Sequence, residues 1–106
     1  MPTQHQVSAL LAQLEAQMSA LQLWQASSPS QAALSSEQPF AIDTLEPNEW
    51  LQWIFIVRIN ALIEQNQPLP TGFEILPYFE QVWQNQREME TLLKTIAQLD
   101  KAFNPC

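Results

Sequence analysis

Three carboxylates at three-residue intervals, Asp43, Glu46 and Glu49, form the densest polar cluster in the chain. Two carboxyl groups held in one cleft can divide into a general acid and a general base when burial drives their pKa values apart. The same spacing around Glu46-Pro47 also fits the start of a helix, where acids satisfy free backbone N–H groups and the helix dipole. The helix-start reading is preferred. A metal site is not expected: the only histidine is His5, the only cysteine is Cys106, and the acids lack the spacing and glycine turn of a calcium loop. A lone histidine near one end makes neither a triad nor a ligand set, and no cofactor is expected.

Arg58 is the second candidate. It stands between Val57 and Ile59 in the most apolar stretch of the chain. A guanidinium there must pair with an acid, lay its stem on apolar surface with its head in water, or anchor a binding cleft. Arginine among aromatic rings is the composition of an interface hot spot. Rings are abundant: Trp24, Trp50, Trp53 and Trp83 accompany five Phe and one Tyr. A small core does not readily bury them all, so one or two are expected to line a groove with Phe40, Pro68, Pro70 and Tyr78.

Composition narrows the chemistry further. The 106 residues suit one domain. A single glycine, Gly72, excludes a P-loop and a GxGxxG turn, which need backbone approach to phosphates, and disfavours tight hairpins. Four basic residues against eleven acidic ones leave a net charge of -7, which repels a phosphate backbone, so direct nucleic-acid binding is not expected. Fifteen glutamines supply a polar, weakly charged surface. Neither a leader pattern nor a membrane span is expected, and the chain reads as cytoplasmic.

The elements that must position these residues are helices. Val7, Leu10, Leu11, Leu14, Met18, Leu21 and Trp24 recur every three or four residues and predict a helix over 4–26, with Pro2 suited to its start. The Ser- and Pro-rich connection 27–46 is long for a compact domain. It is expected to hold a helical turn near 30–34 and to lay 39–45 against the core in extended form, with Phe40, Ile42 and Leu45 inward. Pro47 opens a second helix over 47–65, apolar almost all round and therefore read as the buried central one. Pro68 and Pro70 stiffen the following turn, and Gly72 is read as the one sharp reversal of the chain. A short helix over 74–84 packs Phe79, Val82 and Trp83 inward. Asn85 with Glu88 resembles a capping box for a last helix over 86–103, which ends at Asn104-Pro105. The sum is an all-α fold, a small four-helix bundle with a long first connection.

Gln38-Pro39-Phe40, Asp43-Thr44, Glu46-Pro47, Glu49-Trp50-Leu51-Gln52-Trp53, Arg58, Gln67-Pro68-Leu69-Pro70, Phe73, Pro77-Tyr78 and Glu80 together resemble the YqcC-like family of small bacterial proteins. The resemblance covers essentially the whole chain. It implies an all-helical bundle and a link with tRNA pseudouridine synthase C, whose gene commonly neighbours this family's gene. Synthase activity in this polypeptide is not expected, because such an enzyme needs a catalytic Asp in a basic, mixed α/β RNA-binding domain, and Asp43 lies in acidic surroundings. The expectation is a non-catalytic adaptor. Its protein partner, with the synthase as the candidate, would meet Phe40, Asp43, Glu46, Trp50, Trp53, Arg58, Pro68, Pro70 and Tyr78. The alternative is a small anionic-ligand binder with an aromatic pocket around Arg58. A minor enzyme built on Asp43 and Glu46 is a third reading, and self-association stays open.

Overall fold

The computed structural model describes residues 4–104. Pro2, Pro105 and Cys106 lie outside them. The first helix, α1, spans Gln4–Ala20 and buries Val7, Leu11, Leu14 and Met18 on one face. It stops six residues short of the predicted end. Gln22 takes a left-handed φ of 62°, and the chain closes back with Leu23 N–H donating to the Met18 carbonyl at 2.8 Å and Gln22 N–H to that of Ser19 at 3.1 Å. This is a Schellman closure without its usual glycine.

The long connection is a built structure. Its first turn, α2 (Gln31–Leu34), is capped by Ser30, whose hydroxyl accepts from Ala33 N–H at 3.1 Å. The stretch 39–45 is coiled, not extended: Pro39–Ala41 form a 3-10 turn, and Phe40 and Ala41 stand at φ 56° and 48°. The Ala41 carbonyl then accepts from Thr44 at 3.0 Å and Leu45 at 2.8 Å. Those bonds satisfy N–H groups that an unpaired extended segment would leave without partners. Ala41 and Leu45 turn inward, whereas Ile42 is 64 % exposed, against the expectation that it faces the core.

The second long helix runs continuously through α3 (Pro47–Trp50), a π-helical stretch Leu51–Ile56, and α4 (Val57–Glu64). Pro47 occupies the first turn as predicted, and Glu49 Oε1 accepts from Glu46 N–H at 2.8 Å. The helix is not buried all round. Leu51, Gln52, Phe55, Ile56 and Ile59 face inward, while Val57 is 52 % exposed and Arg58 and Asn60 are exposed. It ends on a second Schellman closure at Asn66 (φ 55°), with Gln67 N–H donating to Leu62 at 2.9 Å, before Pro68.

The next helix, α5, is Leu76–Val82, with Pro77 in its first turn and Phe79 and Trp83 buried; Val82 is half-buried. Asn85 caps nothing that follows. At φ 65° it turns the chain out of α5, and a 3-10 turn, Arg87–Met89, leads into α6 (Glu90–Phe103). Gly72 (φ 83°) is therefore one of several reversals and not the single one, since Gln22, Phe40, Ala41, Asn66 and Asn85 also adopt positive φ. No strand occurs among the described residues, and the fold is a small all-α bundle.

Two kinds of packing hold it. Leu92, Ile96, Leu99 and Phe103 of α6 are fully buried and α6 lies against α1. Thr95, also buried, donates to Gln17 Oε1 at 2.8 Å and accepts from Gln13 at 3.3 Å, fixing that seam. Asp100 ties α6 to the start of α5: its carboxylate accepts from Ile75 N–H at 3.0 Å and from Leu76 N–H at 2.8 Å.

Candidate functional site

The aromatic residues of the middle of the chain form a continuous ring network. Phe40 stacks on Tyr78 with centroids 4.1 Å apart and meets Trp50 at 4.7 Å. Trp50 continues to Phe55 at 5.7 Å, and Phe55 to Phe73 and Phe103 at 6.4 and 6.1 Å. On the other side Tyr78 leads to Phe79 and Trp83. The backbone at Phe40 explains how a loop residue joins this cluster. A left-handed φ costs a non-glycine residue roughly 1–2 kcal/mol, and ring contacts of about 0.5–1.5 kcal/mol each offset it.

Trp24 and Trp53 stand outside the ring network, at the junction of α1 and α3. There Gln52, 3 % exposed, faces the backbone of Gln25: Gln25 N–H donates to Gln52 Oε1 and Gln52 Nε2 to the Gln25 carbonyl, each at 2.8 Å. The Gln25 side chain accepts from Trp53 Nε1 at 2.8 Å and donates to Glu49 Oε2 at 3.1 Å, and Asn48 donates to the Leu23 carbonyl at 3.0 Å. This amide lattice locks the segment after α1 onto the second long helix. A polar Gln inside an apolar run is the only sequence sign of it, and its partner lies 27 positions away.

Three open grooves border the ring network. The first, 480 Å³, is walled by Pro39, Phe40, Trp50, Phe55, Arg58, Ile59, Leu62, Pro70, Phe73, Glu74 and Ile75. A second of 680 Å³ shares Phe40, Trp50, Arg58 and Leu62 with it and adds Trp53, Val57 and part of the loop, including Ser36 and Gln38. The third, 450 Å³, holds Glu46, Tyr78, Ile42 and Trp83. Of the residues singled out by sequence, Phe40, Trp50 and Arg58 thus converge on two adjoining grooves, with Pro70 in one and Trp53 in the other. Glu46 and Tyr78 share the third; Asp43 and Pro68 line none of the three.

Arg58 is exposed, and among the described residues it forms no ion pair. Its neighbours in the first groove are apolar except for Glu74. The carboxylates at the start of the second helix have structural duties. Glu49 holds Glu46 N–H and Gln25, and Asp43 accepts from the Ser36 hydroxyl across the loop. Among the described residues no group of His, Cys, Asp and Glu is arranged to hold a metal ion. The titratable groups with displaced pKa values are elsewhere. Burial pushes Asp100 above the ordinary carboxylate range, Glu74 adds to the rise, and the Ile75 and Leu76 N–H groups pull against it. Burial also raises the Tyr78 hydroxyl, with the charge of Glu46 acting the same way.

Comparison with known proteins accords with this architecture. A family model described as tRNA pseudouridine synthase C matches residues 6–102. An uncharacterized protein of Haemophilus influenzae is 40 % identical over 100 residues, covering 94 % of each chain. The uncharacterized protein YqcC of Escherichia coli is 38 % identical over 101 residues, covering 95 % of this chain and 91 % of its own. The solution NMR structure of E. coli YqcC superposes with a TM-score of 0.85 at 36 % identity, over 97 % of this chain and 89 % of that one. A Pectobacterium carotovorum protein named tRNA pseudouridine synthase C is 27 % identical over 105 residues, which are 99 % of this chain but 28 % of that protein. No helix among the described residues is long and apolar enough to cross a membrane. With the family model spanning almost all of its residues and two full-length relatives near 40 % identity, the chain belongs to the DUF446 family of YqcC-like proteins.

Proposed function

We propose that this chain is a non-catalytic accessory domain that works in the cytoplasm beside tRNA pseudouridine synthase C, by binding the enzyme itself. One observation carries the proposal: a segment like this whole chain makes up 28 % of a longer protein named tRNA pseudouridine synthase C. Joining two units in one polypeptide raises their effective concentration for each other, which is useful only if they act together. The separate chain here would reach the same enzyme by association. Charge supports this reading, since a tRNA-binding enzyme must present basic surface and this chain carries a net charge of -7. The engagement of the Asp43 and Glu49 carboxylates in loop and capping bonds speaks against acid–base chemistry in the chain itself. A small anionic ligand at Arg58 is the rival, and the open form of both Arg58 grooves favours a macromolecular partner over an enclosed small molecule.

The test is calorimetry with purified synthase from the same source, with tRNA pseudouridine measured in a strain lacking this chain. The proposal expects one-to-one binding weakened by salt and a loss of pseudouridine at the synthase's sites. Absence of both removes it.

A further inference from the structure

The two grooves that meet at Arg58 have a chemistry that selects an occupant. They share the lining residues Phe40, Trp50, Arg58 and Leu62 and so adjoin as the two arms of one channel. The smaller arm, 480 Å³, is lined by rings, prolines and aliphatic side chains apart from Arg58 and Glu74, an apolar surface suited to an apolar side chain. Lining both arms is the Arg58 guanidinium, with no ion partner among the described residues, in a chain whose acids outnumber its bases eleven to four. Glu74 lines the smaller arm and still does not pair with it. An arginine left free in an acid-rich protein, beside aromatic faces, presents a planar donor fork matched to a carboxylate. The wall is fixed before anything binds, because Phe40 is clamped between Tyr78 and Trp50 at ring distances of 4.1 and 4.7 Å, and a fixed wall reduces the ordering cost of binding.

We propose that this channel receives an extended segment of a protein partner, with an apolar side chain in the smaller arm and a neighbouring carboxylate on Arg58. The proposal rests on the accessory reading only in taking the partner to be a protein. A nucleic-acid phosphate is a poor occupant, because one guanidinium cannot offset the repulsion of a chain with net charge -7. The channel thereby complements the acidic surface: overall charge would attract a basic partner, while Arg58 would set the register by demanding one acidic position within an apolar stretch.

The test uses the full isotope-labelled chain and two synthetic peptides, acetyl-Leu-Phe-Asp-amide and acetyl-Leu-Phe-Asn-amide, with oligouridylate as a third probe. The Trp50 indole N–H and the Arg58 Nε–H are followed by NMR. The Asp peptide should move both resonances and bind about fivefold more tightly than the Asn peptide, the size of one partly exposed ion pair. That preference should vanish in Arg58→Gln, return in part in Arg58→Lys, and shrink as salt rises. Equal binding of the two peptides, shifts confined to other surfaces, or stronger binding of oligouridylate at these resonances overturns the proposal. If the Asp peptide binds as expected and purified synthase does not bind at all, the channel stands and the synthase is the wrong partner. If the synthase binds and the peptides show no preference, the accessory role stands and the channel chemistry is wrong.

Discussion

The α1–α6 side of the molecule and the side built from 39–83 use opposite materials. The first is aliphatic and regular: Val7, Leu11, Leu14 and Met18 meet a face of α6 that buries Leu92, Ile96 and Leu99, each of these residues at 2 % exposure or less. The second is aromatic, carries a π-helical stretch and two left-handed non-glycine residues in succession, and is cut by grooves. Regular aliphatic packing supplies stability with little surface left over. Bulky rings on a short loop and a widened helix leave gaps between them, and those gaps are the channel. One side holds the fold, and the other is the side proposed above to present it to a partner.

That contrast can be broken from either end. The largest effect is expected on the aliphatic side. Ile96→Ala should cost about 2–5 kcal/mol, the range for truncating a fully buried aliphatic residue, read from denaturant midpoints. Arg58→Ala, on an exposed position, should change stability by no more than about 0.5 kcal/mol while reducing partner binding. A comparable loss in the two variants would erase the division.

Next is the joint between the halves. Asp100→Ala leaves the Ile75 and Leu76 N–H groups without their acceptor and should cost about 1–3 kcal/mol. The wild-type carboxyl binds its proton more tightly folded than unfolded. Its contribution is therefore fully present below the ordinary Asp value of about 4 and is lost as pH rises through the raised folded value. Asp100→Asn should flatten that part of the stability–pH curve. Denaturation at a series of pH values checks the sign, and a wild-type curve that rises relative to Asp100→Asn over this interval would contradict it.

Gln52→Leu comes third. It strips both hydrogen bonds from the Gln25 backbone and should cost about 1–3 kcal/mol, with faster hydrogen exchange confined to the segment after α1. The last effect has the opposite sign. Gln22→Gly relieves a left-handed residue on an exposed corner and should stabilise by about 1 kcal/mol.

Helix content was readable because apolar residues repeat every three or four positions, and Pro47 marked its helix start without ambiguity. The ends were less readable. Gln22 and Asn66 close their helices in conformations that usually advertise themselves with glycine, and this chain spends its single glycine at position 72. Asn85, which resembled a cap for the last helix, ends the preceding one. The loop 39–45 could not be read because its shape depends on Phe40 finding Tyr78, 38 residues later. Among candidate site residues, Phe40, Trp50 and Arg58 were recognisable by type and do converge, whereas Asp43 and Pro68 belong to the same stretches yet line none of these grooves. Gln25, Gln52 and Asp100 are not marked in the sequence, because a buried polar residue is identified by its partner, and those partners are distant in sequence.

The most direct test of the division between a holding side and a presenting side is amide shift mapping of the labelled chain with purified tRNA pseudouridine synthase C. Perturbations are expected to centre on Phe40, Trp50, Arg58 and Phe73, with the outer faces of α1 and α6 unmoved. Perturbations centred on α1 and α6, with the Arg58 channel silent, would contradict it.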